Sequence, residues 1–286
     1  MKLKKETGVY FDVPNDEYHA DRTMVSNSWL KRVNQSPFHL WQYLNEPYER
    51  TDALIIGSAV DCLIFEPEKF DSQFVQGINE SKSTIKGKEA WAAFYESVGT
   101  RDILTVHTSV NYWDQVHQTA EAARSNPLMK DLLEHGMSQV VFVAQDEVTG
   151  LWCKAKADWW ISSENRLVDL KTAVSASPYK FSKAIADFRY HVQDAFYATI
   201  VQKAAQVTEL PDFIFAVMEK PAGDRAPDSR LMAFYQLTPE ERLAGISSFE
   251  SDLAAIAFAI DNNEWAGYAD RVIPIERPRY AQSQDE

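Results

Sequence analysis

The stretch CKAKADWWISSENRLVDLK, Cys153 to Lys171, decides the fold. Two apolar-rich runs flank the turn-forming quartet Ser162, Ser163, Glu164 and Asn165, so the stretch reads as a β-hairpin. With the turn centred between Ser163 and Glu164, Asp158 stands directly opposite Asp169. Directly opposed side chains share a face, with Cβ atoms about 4.5–5.5 Å apart. Lys171 lies two residues beyond Asp169 and shares that face. One surface of one hairpin therefore carries two carboxylates and an ammonium.

That arrangement has a chemical use. Two ionised carboxylates at this distance repel, and a divalent cation relieves the repulsion. Hard cations such as Mg²⁺ prefer carboxylate and water oxygens. A metal pair about 3.5–4 Å apart activates a water and stabilises the leaving oxygen in phosphodiester cleavage. A lysine beside it orients or deprotonates the water and offsets developing negative charge. The competing reading is an exposed hairpin with a cross-strand salt bridge, because Asp-x(10)-Asp-x-Lys is common.

The chain has 286 residues, 45% hydrophobic and 12% aromatic, enough for one large core. No run of 18 or more apolar residues predicts a membrane span. The basic start MKLKKETGVYF lacks the apolar segment of a secretory signal. Two cysteines, Cys62 and Cys153, fit a reducing cytoplasm and are too few for a four-cysteine cluster. The net charge of −13 argues against a nucleic-acid ligand, yet an acidic surface and a basic channel coexist in many proteins.

Along the chain, residues 1–25 read as an extended lead-in. Ser26 or Ser28 caps a helix through Val33, and Ser36-Pro37 starts another to Leu44, with Trp29, Phe38, Trp41 and Tyr43 as packing residues. Leu54 to Phe65 reads as a buried helix with Asp61 in its middle. A buried carboxylate needs a partner, and a salt bridge, a cap and a metal all qualify. Lys82, Lys86 and Lys88 fall together in a polar loop before a helix; they read equally as a solvated connector or as a phosphate-contacting loop. Helical periodicity follows from 108 to 134, then a strand from Gln139 to Gln145. Beyond the hairpin come one helical run from Pro178 to about Ala205, strands at 211–219 and 231–237, and an amphipathic helix from Thr238 to about Asn262. Gln193 and Tyr197, four residues apart, share a helix face, whereas His191 falls off it. The whole reads as one α+β domain, 1–286, with helices against a mixed sheet and a mobile tail from about 275.

Several segments together resemble a known family: DEYH at 16–19, SNSWL at 26–30, SP at 36–37, GSAVDCLIFEP at 57–67, KGK at 86–88, KAKADW at 154–159, VDLKT at 168–172, HVQDAFY at 191–197 and WAGY at 265–268. Their order and spacing resemble the nuclease domain of RecE-like exonucleases (exodeoxyribonuclease VIII). These belong to the PD-(D/E)XK superfamily with lambda exonuclease and the RecB nuclease domain. The resemblance implies a PD-(D/E)XK-like core. It implies that Asp158, Asp169 and the Leu170 carbonyl bind Mg²⁺, with Mn²⁺ as a substitute, and that Lys171 is catalytic. It implies that Gln193 and Tyr197 form a Gln-xxx-Tyr motif that holds the DNA end and the site. The family digests linear double-stranded DNA from 5′ to 3′, leaving 3′ single strands for a RecT-type annealing partner. Its members form toroids, tetrameric for RecE. Two positions depart from its pattern: Asp61 stands where a histidine is usual, and Gln139 where a metal-site glutamate is common. Aspartate is a hard oxygen ligand, so Asp61 remains a metal candidate. Three functions follow: a prophage-borne, Mg²⁺-dependent exonuclease of recombination; an endonuclease or single-strand nuclease of the same superfamily; or a non-catalytic DNA-binding protein whose site has decayed.

Overall fold

The computed structural model describes residues 3–46, 50–107, 110–220 and 226–276. The expected extended lead-in carries two short elements. It forms β1 (Gly8–Tyr10) and α1 (Asn15–Ala20), and Tyr10, Val13, Tyr18 and Met24 are buried against Val141 and Val143. Those four apolar residues fall at irregular spacings, so no periodicity announces them. Next come α2 (Asn27–Val33), which begins after Ser26, and α3 (Pro37–Asn45), whose N-cap Ser36 hydroxyl accepts from the His39 N–H. Of the aromatic residues expected to pack here, Trp29 is buried, but Phe38 and Trp41 are exposed and stack on each other at 5.7 Å.

The helix α4 (Asp52–Phe65), capped by Thr51, is followed by α5 (Phe70–Gln73), β2 (Phe74–Gln76), α6 (Ile85–Val98) and β3 (Asp102–Leu104). The short β4 (Val106–His107) and β5 (Val110–Asn111) precede α7 (Tyr112–Ser125) and α8 (Pro127–Glu134). The three central strands are β6 (Met137–Gln145), β7 (Trp152–Ile161) and β8 (Arg166–Ala173). The expected single helical run is two helices, α9 (Pro178–Asp187) and α10 (Tyr190–Ala205). Arg189 separates them in the left-handed region, φ 56°, a conformation that its sequence does not advertise. Then follow β9 (Asp212–Glu219), β10 (Met232–Tyr235) and α11 (Pro239–Asn262), whose N-cap Thr238 hydroxyl accepts from the Glu241 N–H. The tail expected to be mobile lies mostly outside the described residues.

The main sheet runs β1-β6-β7-β8-β9-β10. All pairs are antiparallel except β8 with β9, joined by the α9–α10 crossover that a parallel pair requires. One face buries Phe142, Ala155, Leu167, Phe213 and Phe215 against Leu30, Val192, Phe196, Phe249 and Ile256 from α2, α10 and α11. The other buries Val168, Leu170, Ala216 and Met218 against α4, α7 and α8. The architecture is thus α+β, a mixed sheet between two helical layers. By length and composition α11 could cross a membrane, yet Phe249, Leu253 and Ile256 are part of the core. Its Gly245 allows close approach to α10: a Cβ there would meet the His191 carbonyl oxygen at 2.1 Å.

Candidate metal centre at the fork of two strands

The hairpin forms as read. Strands β7 and β8 pair Trp159 with Val168, Trp160 with Leu167 and Ile161 with Arg166. The turn closes through Asn165 in the left-handed region, φ 49°, which asparagine tolerates better than most residues. One step further along the same register Asp158 faces Asp169, but there the two strands part. From that point β7 stays with β6 while β8 runs beside β9, from Arg166 opposite Asp212 to Ala173 opposite Glu219. The site lies in the resulting fork.

Simple alternation along β7 fails at Asp158. Ala155 and Ala157 face the same core as Trp160, whereas Trp159 and Ile161 face the opposite one. Opposite Asp158 in the β6 register is Gln139, held at φ 52°. A paired kink in both strands therefore re-aims Asp158, the usual effect of a bulge beside a site. Gln139, the position where the family pattern commonly has a glutamate, supplies the backbone pivot of this kink.

Re-aimed, the Asp158 carboxylate accepts the Leu170 N–H at 2.9 Å through Oδ2. In an extended strand the N–H and C=O of one residue point the same way, so the Leu170 carbonyl also faces the fork. Buried Asp169 accepts Gln193 Nε2 at 2.6 Å through Oδ1, and its Oδ2 is ion-paired with Lys171. On α10, Gln193 and Tyr197 face the sheet as their spacing predicts. The Tyr197 hydroxyl accepts the Lys156 N–H, so the two residues clasp β8 and β7 respectively. Asp61, from the middle of α4, completes the group.

The electrostatics follow from this grouping. Burial, then Asp169, raises Asp158 to about 7, with Lys171 and the Leu170 N–H opposing. Asp61 is raised well above the carboxylate range by burial, then by Asp158, and is opposed by Lys171. Burial alone would lower Lys171, but Asp169 and Asp158 together raise it. Three carboxyl groups and one ammonium thus share one small region, where the ionised forms of the acids repel one another. Among the described residues no three metal-ligating side chains are already drawn to coordinating distance, and Lys171 holds the Asp169 oxygen. The donor set of three carboxyl groups and one carbonyl suits a hard divalent cation, whose charge would offset the repulsion between their ionised forms. Asp61, Asp158, Asp169 and the Leu170 carbonyl would hold it.

Lys82, Lys86 and Lys88 do not join this group. Lys82 Nζ lies 4.2 Å from the Trp91 ring centre and bonds the Tyr95 hydroxyl at 2.9 Å, while Lys86 and Lys88 are exposed on the first turn of α6. Three neighbours of the site escaped the sequence reading. Lys31 on α2 and Tyr190 at the start of α10 flank Lys171, and Lys156 on β7 stands near Asp158. Each requires tertiary packing to reach the fork; the matching segments KAKADW, which contains Lys156, and SNSWL, which ends one residue before Lys31, gave no role to either lysine. Two buried ion pairs fix the helices around them: Arg189 with Asp252 at 2.7 Å and Arg242 with Asp194 at 2.8 Å.

A model of one protein family matches residues 26–273, which contain every residue of the fork. The chain belongs to that family, the PDDEXK-like domain of unknown function DUF3799. The fold of this DUF3799 domain is accordingly PD-(D/E)XK-like, as the segments of sequence implied. A solved structure of a candidate exonuclease from Eubacterium rectale shares that fold, with a TM-score of 0.61 and 16% identity over 96% of this chain and 99% of the other. A phage-related exonuclease from Haemophilus somnus matches with a TM-score of 0.37 and 14% identity over 84% of this chain and 96% of the other. No curated protein matches the DUF3799 domain.

Proposed function

We propose that this DUF3799 domain is a Mg²⁺-dependent exodeoxyribonuclease, RecE-like, that digests linear double-stranded DNA from its ends. The observation that carries this reading is the convergence of Asp61, Asp158, Asp169 and Lys171 at the fork of β7 and β8. A bound Mg²⁺ or Mn²⁺ supplies Lewis-acid activation of water and of the scissile phosphate. The chain's own residues do the rest. Asp158 is fixed by the Leu170 N–H and Asp169 by Gln193, so both carboxylates are oriented before substrate arrives. Lys171 Nζ sits on Asp169, where it orients the attacking water and offsets charge on the pentavalent transition state. Tyr197 holds β7 and Gln193 holds β8 beside the point where the strands part.

By resemblance the direction is 5′ to 3′, the product is a 3′ single-stranded tail, and the consumer is a RecT-type annealing protein. A toroidal homo-oligomer, a cytoplasmic setting and a prophage role in recombination belong to the same reading. The test is linear and circular duplex DNA incubated with Mg²⁺ or EDTA, with Asp169→Ala as control. Digestion of linear DNA alone, lost in EDTA and in the variant, supports the proposal. Nicking of circles shows an endonuclease, and binding without digestion shows a non-catalytic protein; either result overturns it.

A further inference from the structure

One cation beside the fork has no anion of its own. Lys31 projects from α2, and the preceding residue is pinned: Arg189 donates to the Leu30 carbonyl at 3.0 Å and to Asp252 Oδ2 at 2.7 Å. The lysine therefore starts from a rigid base. Its Nζ lies 5.6 Å from the centre of the Tyr190 ring, and Lys171 Nζ lies 5.0 Å from the same centre. One aromatic ring thus serves two ammoniums, worth about 0.5–2 kcal/mol to each. The acidic group that acts on Lys31, Asp169, is already engaged by Lys171 and Gln193. Among the described residues Lys31 has no hydrogen-bond acceptor, and its side chain is only half-buried. Burial, then Lys171, lowers it to about 8. A partly desolvated cation without a counter-ion is costly unless something else supplies the negative charge.

We propose that Lys31 binds a non-bridging oxygen of the DNA phosphate next to the scissile one, on the Lys171 side of the carboxylates. The inference rests on the nuclease reading and deepens it. Lys171 serves the phosphate being cut, while Lys31 holds its neighbour and sets the register of the strand. Together they make a local basic step in a chain of net charge −13. The acid cluster alone would repel the backbone; this step draws it in. Lys31 is a positioning residue, because its target is not the reacting phosphate.

The test uses the full chain, a short labelled linear duplex and Ca²⁺ in place of Mg²⁺, with binding measured over a salt series. Lys31→Met keeps the apolar stem over Tyr190, and Lys31→Arg keeps the charge. Each phosphate neutralised contributes about 0.9 to the slope of log affinity against log salt. Lys31→Met should make that slope shallower by about 0.9 and weaken binding several-fold at low salt, while Lys31→Arg should match the wild type. In digestion with Mg²⁺ the methionine variant should raise KM several-fold, with the loss falling on KM rather than kcat. An unchanged slope and KM overturn the inference. So does a fall in kcat at constant KM, which would make Lys31 a tuner of Lys171. If Lys31→Met does not fold by thermal melting, Lys31→Gln takes its place under the same criteria. Wild-type protein that neither binds nor digests linear duplex overturns the nuclease reading instead; a digesting wild type with an unaltered Lys31→Met overturns only this inference.

Discussion

Replacing Lys171 by methionine removes the ammonium and keeps most of the stem. Asp169 is left with Gln193 as its remaining partner, facing Asp158 and Asp61. Breaking a buried ion pair from one side costs about 3–5 kcal/mol. Proton uptake caps the loss, because neutralising an ordinary aspartate at pH 7 costs about 4 kcal/mol. The Lys171 and Asp169 side chains retain 17% and 7% exposure, so water offsets a little more. The expected loss in EDTA is about 3 kcal/mol, or roughly 6–9 °C in Tm for a chain of this size. A cation restores the balance: at a hundredfold excess over Kd it adds about 2.7 kcal/mol. Lys171→Met frees the Asp169 oxygen that the lysine holds, so Mg²⁺ should raise the Tm of the variant more than that of the wild type. The assay is thermal melting in EDTA and in a Mg²⁺ titration, alongside digestion of linear duplex, which the variant should not perform. A variant as stable as wild type in EDTA, or one whose Tm ignores Mg²⁺, would refute the reasoning.

Gln193→Ala should raise the Mg²⁺ concentration for half-maximal digestion by about 10–100-fold, the usual effect of losing a residue that orients a ligand, with a modest change in Tm. Asp61→Ala should weaken the Mg²⁺ response and stabilise the metal-free protein, since it removes one of three crowded acids; an unchanged metal titration would place Asp61 outside the site. Lys154, buried with its Nζ on the Tyr18 and Asp21 carbonyls, is lowered by burial to about 8. Between about pH 8 and 10.4 the folded protein holds fewer protons there than the unfolded chain, so stability rises with pH. Urea titrations should show wild type gaining on Lys154→Met across that window, and a constant difference would contradict it.

The hairpin was legible because a short turn with Asn165 at its left-handed position sets one register, and register assigns every opposed pair. The Gln193–Tyr197 stripe was legible for a similar reason, as helical spacing alone puts both on one face. The kink at Gln139 and Asp158 was not, because a positive φ at glutamine leaves no trace in composition. Arg189 hid the break between α9 and α10 in the same way. Lys31 was invisible for a different cause: its significance lies in Tyr190, 159 residues further along the chain, and Arg189 pins the neighbouring Leu30 only in the folded chain. The lysine loop at 82–88 shows the converse, since clustering in sequence did not bring Lys82, Lys86 and Lys88 to the fork.

The anchoring of the first 25 residues bears on how the protein is made. Lys154 clasps the end of α1 across 136 residues of chain, and Val25 bridges to Cys153 beside it. At ribosomal speeds of about 5–20 residues per second, the opening segment waits roughly 7–27 s for its partner strand to emerge. Throughout that delay Tyr18 and Met24 remain without the surface that later covers them. The nascent chain thus has a built-in window for chaperone capture, which closes when the strand bearing Asp158 leaves the tunnel.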